Sequence, residues 1–335
     1  MSDGAAGGGA GEATDRLWVP LLSHYREGGG GAVIDPDRIA AHVRAIRPSV
    51  RQFLLAGSTG DGWELDRAGL EALLDLSRRA DPFAGTQLLF GALRATTEAV
   101  VEQAAAIEAA LARAPASGRF LGLAVCPPIL ADASQEVILA HYRAVLEATR
   151  GPIAVYQLPQ VTRCMIAPET MRILAREERV TMFKDTSGTD TVAQAGVAGV
   201  TLVRGAEGGY VEALQPIGRY DGWLLSTGNG FGPVLRRILD RLAAGETARA
   251  RRVSAMLSAI VEALFAEAAP LPFGNAFSNA NRAVDHLWAH GQTWRDAPPP
   301  LTVSGNRLPL ALLEAAEDLL GHFPALPARG YLAAA

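Results

Sequence analysis

The feature that most constrains this chain is a regular alternation of short apolar runs with segments of helical periodicity. Eight apolar runs of strand length each precede a helical pattern, and they cover residues 18–25, 51–59, 86–93, 119–127, 152–159, 180–188, 200–207 and 221–229. Runs that are apolar on both faces are typical of parallel strands covered by helices. The alternation therefore predicts an α/β protein built as a closed (β/α)8 TIM barrel.

A doubly wound open sheet is the alternative fold. Against it, the chain has no G-x-G-x-x-G sequence after its first apolar run, where a dinucleotide-binding sheet usually carries one. From about residue 246 the pattern becomes purely helical, over 246–269, 275–290 and 309–320. We therefore predict a disordered tail at 1–16, a barrel at 17–245, a helical extension at 246–324 and a second tail at 325–335.

Composition argues against several classes of protein. The net charge of −4 supplies no basic field for nucleic acid or an anionic membrane. The two cysteines are too few for a disulfide framework and form no C-x-x-C sequence, which favours a reducing compartment. No apolar run reaches the length of a membrane span, and the N-terminus lacks the pattern of a signal peptide. We expect a cytoplasmic protein.

Lys184 is the most informative single residue, because it is the only lysine among 31 basic residues. Arginine replaces lysine easily on a solvated surface, but it stays protonated and cannot act as an amine nucleophile. Lys184 lies in the apolar run VTMFKDTSG, just before a turn. Survival by chance on a surface loop is the alternative, and the buried context disfavours it. We predict that Lys184 attacks a carbonyl carbon.

The other candidates follow from the rule that working residues of such barrels lie at the C-terminal ends of strands. Tyr156 is predicted on the strand beside Lys184, where a phenol can move the protons that carbonyl addition and water loss require. The turn from Gly57 to Gly60, with the hydroxyls of Ser58 and Thr59, offers backbone N–H groups for a carboxylate. The same rule selects three further short segments: 126–128, 205–207 and 226–229.

Four motifs in order, GSTGD, VYQLP, FKDTSG and STGN, resemble the dihydrodipicolinate synthase and N-acetylneuraminate lyase family of class I aldolases and synthases. The resemblance covers roughly residues 18–322. It implies that Lys184 forms a Schiff base with a pyruvate-like 2-oxo acid without any cofactor. It also implies that Tyr156 relays protons, and that Ser58 and Thr59 hold the carboxylate while Thr59 hydrogen-bonds the tyrosine. Substrate contacts are expected from Gly57, Gly205, Ser226 and Arg163.

The departures from the family pattern bear on the substrate. After the fourth strand this chain reads Cys126-Pro127-Pro128-Ile129, so the family's second relay tyrosine is missing. Gln157 stands where the family commonly has asparagine. Val161 stands where the lysine-forming synthase has the arginine that grips a distal carboxylate. We therefore predict that dihydrodipicolinate synthesis is not the reaction, and that a less charged acceptor, an apolar or aromatic aldehyde, fits the site. Arg163 is two positions further on and could reach a carboxylate, or it could be solvated.

Three functions stay open at this point. The first is aldol cleavage or condensation, or dehydration, through the Lys184 imine; the second is a lapsed homologue that binds a 2-oxo acid without turnover; the third is a scaffold. We predict a small-molecule 2-oxo acid partner with an aldehyde as the second reactant, and a homodimer or homotetramer, because the C-terminal helices carry apolar faces.

Several other residues carry structural interpretations. Asp185 is expected to accept a hydrogen bond from a turn amide, and Cys126 to be an inert thiol. The asparagine-rich segment near Asn275 is read as a helix cap with an interface. The histidines show no metal-ligand spacing, so no metal is predicted, and His24 at the first strand's end is the one most worth inspection.

Overall fold

The computed structural model describes residues 15–321, 323 and 325–333, and its centre is a closed barrel of eight parallel strands. The barrel order is β1-β10-β9-β8-β7-β6-β5-β4, so the strands follow one another around the barrel in chain order, and the predicted (β/α)8 fold is confirmed. The ten strands within these residues are β1 Leu17–Pro20, β2 Tyr25–Gly28, β3 Gly31–Ile34, β4 Gln52–Leu55, β5 Gln87–Gly91, β6 Arg119–Val125, β7 Ile153–Gln157, β8 Val180–Asp185, β9 Thr201–Arg204 and β10 Gly222–Leu224.

Helices surround the barrel and extend beyond it. The thirteen α-helices among the described residues are α1 Pro36–Ile46, α2 Arg67–Ser77, α3 Ala80–Phe83, α4 Thr97–Arg113, α5 Gln135–Ala148, α6 Pro159–Thr162, α7 Pro168–Leu174, α8 Thr191–Gln194, α9 Tyr210–Ala213, α10 Gly228–Ala243, α11 Thr247–Ala268, α12 Ala276–His290 and α13 Leu310–Leu320. Two 3₁₀ helices span Ser58–Gly60 and Gly291–Asp296. No helix in this described part of the chain is long and apolar enough to cross a membrane.

Side-chain caps explain where several helices begin. Asp35 accepts a hydrogen bond from the amide of Arg38 and precedes Pro36, as the sequence predicts. Thr96, Ser134 and Asn275 cap α4, α5 and α12 in the same way, so the capping role predicted for the asparagine-rich segment is confirmed. Each cap satisfies an amide that has no partner inside its helix, and so marks the helix start.

The glycine-rich segment after the first strand differs from its prediction. The sequence predicts one strand over 18–25 and then a flexible connection, whereas β1 ends at Pro20 and β2 pairs with β3 as an antiparallel hairpin. Gly29 and Gly30 both have positive φ angles and form the two-residue turn between these strands. Glycine adopts such angles without steric cost, so the run favours a tight hairpin turn.

Inside the barrel, one side chain from each of its eight strands contributes to an inner layer. This inner layer comprises Trp18, Leu54, Leu89, Ala124, Ala154, Met182, Val203 and Leu224. A larger core lies between the outer faces of the strands and the helices. Because side chains alternate across a strand, the residues two positions beyond the inner layer face the same interior one step nearer the C-terminal mouth.

The C-terminal helices close over one side of this mouth. Helix α11 packs against α10, and α12 packs against α11, α13 and the Ser58–Gly60 turn. Arg282 on α12 forms a buried ion pair with Asp61 directly after that turn. Near the C-terminus, Tyr331 donates a hydrogen bond to Asp285 at 2.7 Å. The tail predicted at 1–16 lies, apart from Asp15 and Arg16, outside the described residues, as does His322.

Candidate active site

The side chains with reactive groups lie in one layer at the C-terminal mouth of the barrel, which we call the mouth layer. The residues two positions beyond Ala124, Ala154, Met182, Val203 and Leu224 are, in that order, Cys126, Tyr156, Lys184, Gly205 and Ser226. Strand register places Tyr156 directly beside Lys184. Residues separated by up to a hundred positions in the chain thus share one ring at the C-terminal ends of the strands, where such barrels carry their active sites.

Lys184 is buried in this layer, with 4% of its surface exposed. Its Nζ lies over the face of the Tyr156 ring, 3.8 Å from the ring centroid. Burial lowers the pKa of this amine from its usual 10.5 to about 7, because the charged form loses its hydration; the nearby Cys126 and Glu207 act in the opposite direction. An amine with this pKa is largely available as a nucleophile near neutrality.

The Tyr156 hydroxyl faces Ser58, whose Oγ lies 3.5 Å away. The hydrogen bond expected between Thr59 and the tyrosine is not formed among the described residues, where the phenol pairs with Ser58 instead. Successive residues of a 3₁₀ turn point about 120° apart, so the two neighbouring hydroxyls face different directions. Ser58 Oγ also accepts a hydrogen bond of 2.8 Å from the Trp63 indole Nε1. Burial raises the pKa of the Tyr156 phenol, so it enters the site as a neutral proton donor.

The turn that carries Ser58 is held from outside the barrel by α12. Ser278 Oγ donates to the backbone oxygen of Thr59 at 3.1 Å, and Asn275 Nδ2 donates to that of Ser58 at 3.4 Å. Within the turn, the amides of Gly60 and Gly62 donate to the Gly57 carbonyl. Among the described residues, no backbone oxygen accepts from the amides of Ser58 and Thr59. Two N–H groups beside the phenol are therefore left for an anion.

Gly205 leaves room for the Lys184 side chain because it has no Cβ. A Cβ at this position would lie 2.8 Å from Lys184 Cε and 2.5 Å from Thr186 Oγ1, closer than nonbonded atoms approach. The Thr186 hydroxyl is itself buried, and it lies close enough to the Tyr156 phenol to oppose the rise in the pKa of that phenol.

Ser226 reaches the mouth layer but is bonded to another residue of the rim. Its Oγ donates to Glu207 at 2.8 Å, and the same carboxyl group accepts from the Thr227 amide at 3.0 Å and from the Tyr210 hydroxyl at 3.1 Å. Burial raises the pKa of Glu207, and these donors partly offset that rise. The arrangement holds a carboxyl group beside the amine.

Arg163 is not brought into this cluster. It ends the short helix α6 with a left-handed φ of 59°, and its side chain is exposed without an ion pair to any described residue. Asp185 accepts a hydrogen bond of 2.9 Å from the Ser187 amide, as predicted, and further bonds from Gln157 and Tyr220. The Cys126 thiol is buried, which raises its pKa and agrees with its interpretation as inert.

A second polar cluster lies on the α12 side of the barrel. His24, His42 and Asp285 approach one another closely enough to share a metal ion, although their sequence positions give no such signal. Their chemistry does not fit a cation. The Arg38 guanidinium already pairs with Asp285, and the two ring nitrogens of His42 face Asp285 at 2.6 Å and Asn229 at 3.1 Å. The cluster is a polar network that ties α12 to α1 and to the segment between β1 and β2.

Sequence reasoning missed three contributors to the site: Trp63, Thr186 and the α12 residues behind the turn. Trp63 follows the GSTGD motif by only two residues, so its closeness to a candidate turn could have predicted its role. Thr186 lies inside FKDTSG and could have been predicted in the same way. Ser278 and Asn275 are over 200 positions from the turn they support, and no local pattern connects them.

Comparison with known proteins identifies the family to which this chain is similar. The model of the Dihydrodipicolinate synthetase family matches residues 91–285. A 4-hydroxy-tetrahydrodipicolinate synthase of Corynebacterium diphtheriae is 28% identical over 273 residues, which cover 78% of this chain and 84% of the relative. The synthase of the same name from Parasynechococcus marenigrum is 27% identical over 291 residues, covering 86% and 89%.

Two solved structures share the fold. YagE, a prophage protein of the dihydrodipicolinic acid synthase family from E. coli K12 in complex with pyruvate, has a TM-score of 0.75 at 17% identity, covering 92% of this chain and 99% of that one. The KD(P)GA of T. tenax has a TM-score of 0.73 at 19% identity, covering 92% and 98%. The family model matches more than half of this chain, so the chain belongs to the dihydrodipicolinate synthetase family.

Proposed function

We propose that this protein is a lyase or synthase that forms a Schiff base between Lys184 and pyruvate or another 2-oxo acid, and needs no cofactor for that step. The observation that carries the proposal is the buried Lys184 amine, with its pKa near 7, lying on the face of Tyr156. A neutral amine, a neutral phenol and two unpaired amides in one layer provide a nucleophile, a proton donor and a carboxylate holder.

The steps follow from these groups. Ser58 and Thr59 bind the substrate carboxylate through their backbone amides. Nζ of Lys184 adds to the carbonyl carbon, Tyr156 supplies the proton with which the hydroxyl leaves as water, and an iminium forms. This electron sink allows loss of a proton from the neighbouring carbon to give an enamine. The enamine carbon then bonds to an aldehyde, whose oxygen takes up a proton. Hydrolysis releases a 4-hydroxy-2-oxo acid and the free amine.

Cleavage is the same sequence in reverse, and loss of an α-proton from the iminium followed by loss of the β-hydroxyl as water gives dehydration. The curated relatives are named 4-hydroxy-tetrahydrodipicolinate synthases. We do not extend that reaction to this chain. The lysine-forming synthase has at this position an arginine that binds the substrate's distal carboxylate, whereas Val161 is apolar. We also expect a homodimer or homotetramer, which light scattering would measure.

Borohydride reduction in the presence of pyruvate tests the first step. Intact-mass measurement should find one adduct per chain in the natural protein and none in Lys184→Arg. The chain offers a clean assay, because the N-terminus is the only other amine. An adduct that survives the Lys184→Arg change, or no adduct in the natural protein, refutes the proposal.

A second candidate, binding of a 2-oxo acid without turnover, is favoured by one contact. On the Ser58 side of the phenol, the hydroxyl chain from Tyr156 ends on the Trp63 indole, which donates a hydrogen bond but cannot accept one. Such a protein would trap pyruvate as an imine and yet release no aldehyde from any 4-hydroxy-2-oxo acid in a panel.

A further inference from the structure

We propose that the second reactant is an uncharged aldehyde with an apolar substituent, bound against a wall of apolar side chains beside Lys184. The inference rests on the proposed function and names the acceptor class for the same site.

The wall is a hydrophobic cluster separate from the other two cores of the barrel. Leu93, Cys126, Tyr156 and Leu158 are its buried members, and Trp63 and Val161 pack on them while staying partly exposed. We call this set the mouth cluster. It includes the ring on which the Lys184 amine lies, so a molecule that reaches the amine from the Trp63 and Val161 side contacts apolar atoms first.

The position of Trp63 is held by its polar end. Its Nε1 donates to Ser58 Oγ, so the indole is fixed at the edge of the carboxylate-binding turn. The remaining ring surface packs against the mouth cluster and is left partly exposed. An aromatic side chain with a bonded edge and an open surface is a common way to bind a flat apolar group.

Charge argues in the same direction. The Arg94 guanidinium donates to the backbone oxygens of Gly62, Leu93 and Leu65 at 2.7 to 2.8 Å. Arg204 donates to the oxygens of two residues that follow its strand. Arginines held by carbonyl groups give up those bonds only at a cost, so they do not bind a second carboxylate or a phosphate.

The rim opposite the wall is also unsuited to an anion. Glu207 is held there by Ser226, Thr227 and Tyr210, and an acceptor carboxylate would face this carboxyl group. Arg163 is exposed and lies outside this cluster, so the free anion-binding groups that we identify inside the described site are the Ser58 and Thr59 amides, which the proposed function assigns to the 2-oxo acid itself. An acceptor with a second charge would stay unpaired, and an unpaired charge is costly where water is excluded.

The reaction at this subsite is a carbon–carbon bond formation. The enamine on Lys184 attacks the aldehyde carbon, the aldehyde oxygen takes up one proton, and water then hydrolyses the iminium to release a 4-hydroxy-2-oxo acid. No oxidant or reductant takes part.

The experiment measures kcat/KM for consumption of four aldehydes at a fixed pyruvate concentration: benzaldehyde, hexanal, glyceraldehyde and the anionic succinic semialdehyde. Benzaldehyde and hexanal should each exceed glyceraldehyde and succinic semialdehyde by at least tenfold. In Val161→Arg, the benzaldehyde value should fall at least tenfold and the succinic semialdehyde value should rise, while the pyruvate imine trapped at Lys184 stays unchanged. The nearly isosteric Val161→Thr serves if the arginine variant does not fold, and should lower the hexanal value.

Ile173→Arg is the matched control, since Ile173 is exposed near the C-terminal end of α7 and outside the mouth cluster. Its preference should equal that of the natural protein. If the imine forms but glyceraldehyde or succinic semialdehyde reacts best, or no aldehyde reacts, the inference is overturned while the Schiff base stands. If no imine forms at Lys184, the proposed function itself fails.

Discussion

Replacing Lys184 with methionine should stabilise the fold while abolishing the imine. The reason is linkage: the amine has a pKa of about 7 in the folded protein and 10.5 as its ordinary value, so the unfolded chain binds a proton that the folded chain does not. Stability contributed by the neutral amine is complete above about pH 10.5. It is lost progressively as pH falls from there to about 7 and is constant below that.

The expected size follows from the two pKa values. At pH 7.5 the lysine costs the fold about 4 kcal/mol relative to a side chain that does not titrate, and at pH 9.5 about 1.4 kcal/mol. The difference between Lys184→Met and the natural protein should therefore shrink by about 2.5 kcal/mol between these pH values. Methionine is a suitable replacement because it is unbranched, apolar and similar in length.

Denaturant unfolding of both proteins at pH 7.5, 8.5 and 9.5 measures this difference, since other titrating groups cancel between them. Lys184→Arg is the companion variant, because it keeps a permanent charge in the same place and should be less stable than the natural protein at every pH. Two parallel stability curves, or a methionine variant less stable at pH 7.5, would refute the reasoning that the buried amine is held neutral.

Four other outcomes are expected. The rate of imine trapping with pyruvate should fall as pH drops through about 7, because the amine becomes protonated there, and a midpoint near 10 would contradict the lowered pKa. Tyr156→Phe keeps the ring but removes the proton donor, so a time course of trapping should slow by about 10²-fold or more while the final adduct persists. Gly205→Ala places a methyl group 2.8 Å from Lys184 Cε and should slow trapping at least tenfold with little change in melting temperature; an unchanged rate would mean that the lysine has other room. Arg282→Met leaves Asp61 buried without its positively charged partner and should lower the unfolding free energy by about 3–5 kcal/mol, a loss that chemical denaturation would detect.

The sequence predicts the architecture well because the signals are local. Each strand of the barrel is predicted by an apolar run, and several helices are predicted by a side-chain cap, as at Asp35, Thr96 and Ser134. The pairing of Tyr156 with Lys184 can also be predicted from the sequence, because consecutive parallel strands of a barrel are neighbours and the residues at their ends lie side by side.

The glycine-rich hairpin and the choice between Ser58 and Thr59 are harder to predict. A run of four glycines permits both a flexible loop and a tight turn, and the residues on either side decide between them. The two hydroxyls are adjacent in the chain, and only the conformation of the turn selects Ser58 to face the phenol. The contact from α12 to this turn joins residues over 200 positions apart, so no local pattern can reveal it.

By itself, then, the sequence determined the repeating strand and helix units, and it determined which single residue could act as an amine nucleophile. Only the tertiary structure decided the pKa of that amine and the space in which it can move. Its pKa depends on how completely other side chains exclude water from it, and its reach depends on a glycine from the next strand. Burial and distance are properties of the assembled barrel, because they arise between segments that the chain order keeps apart.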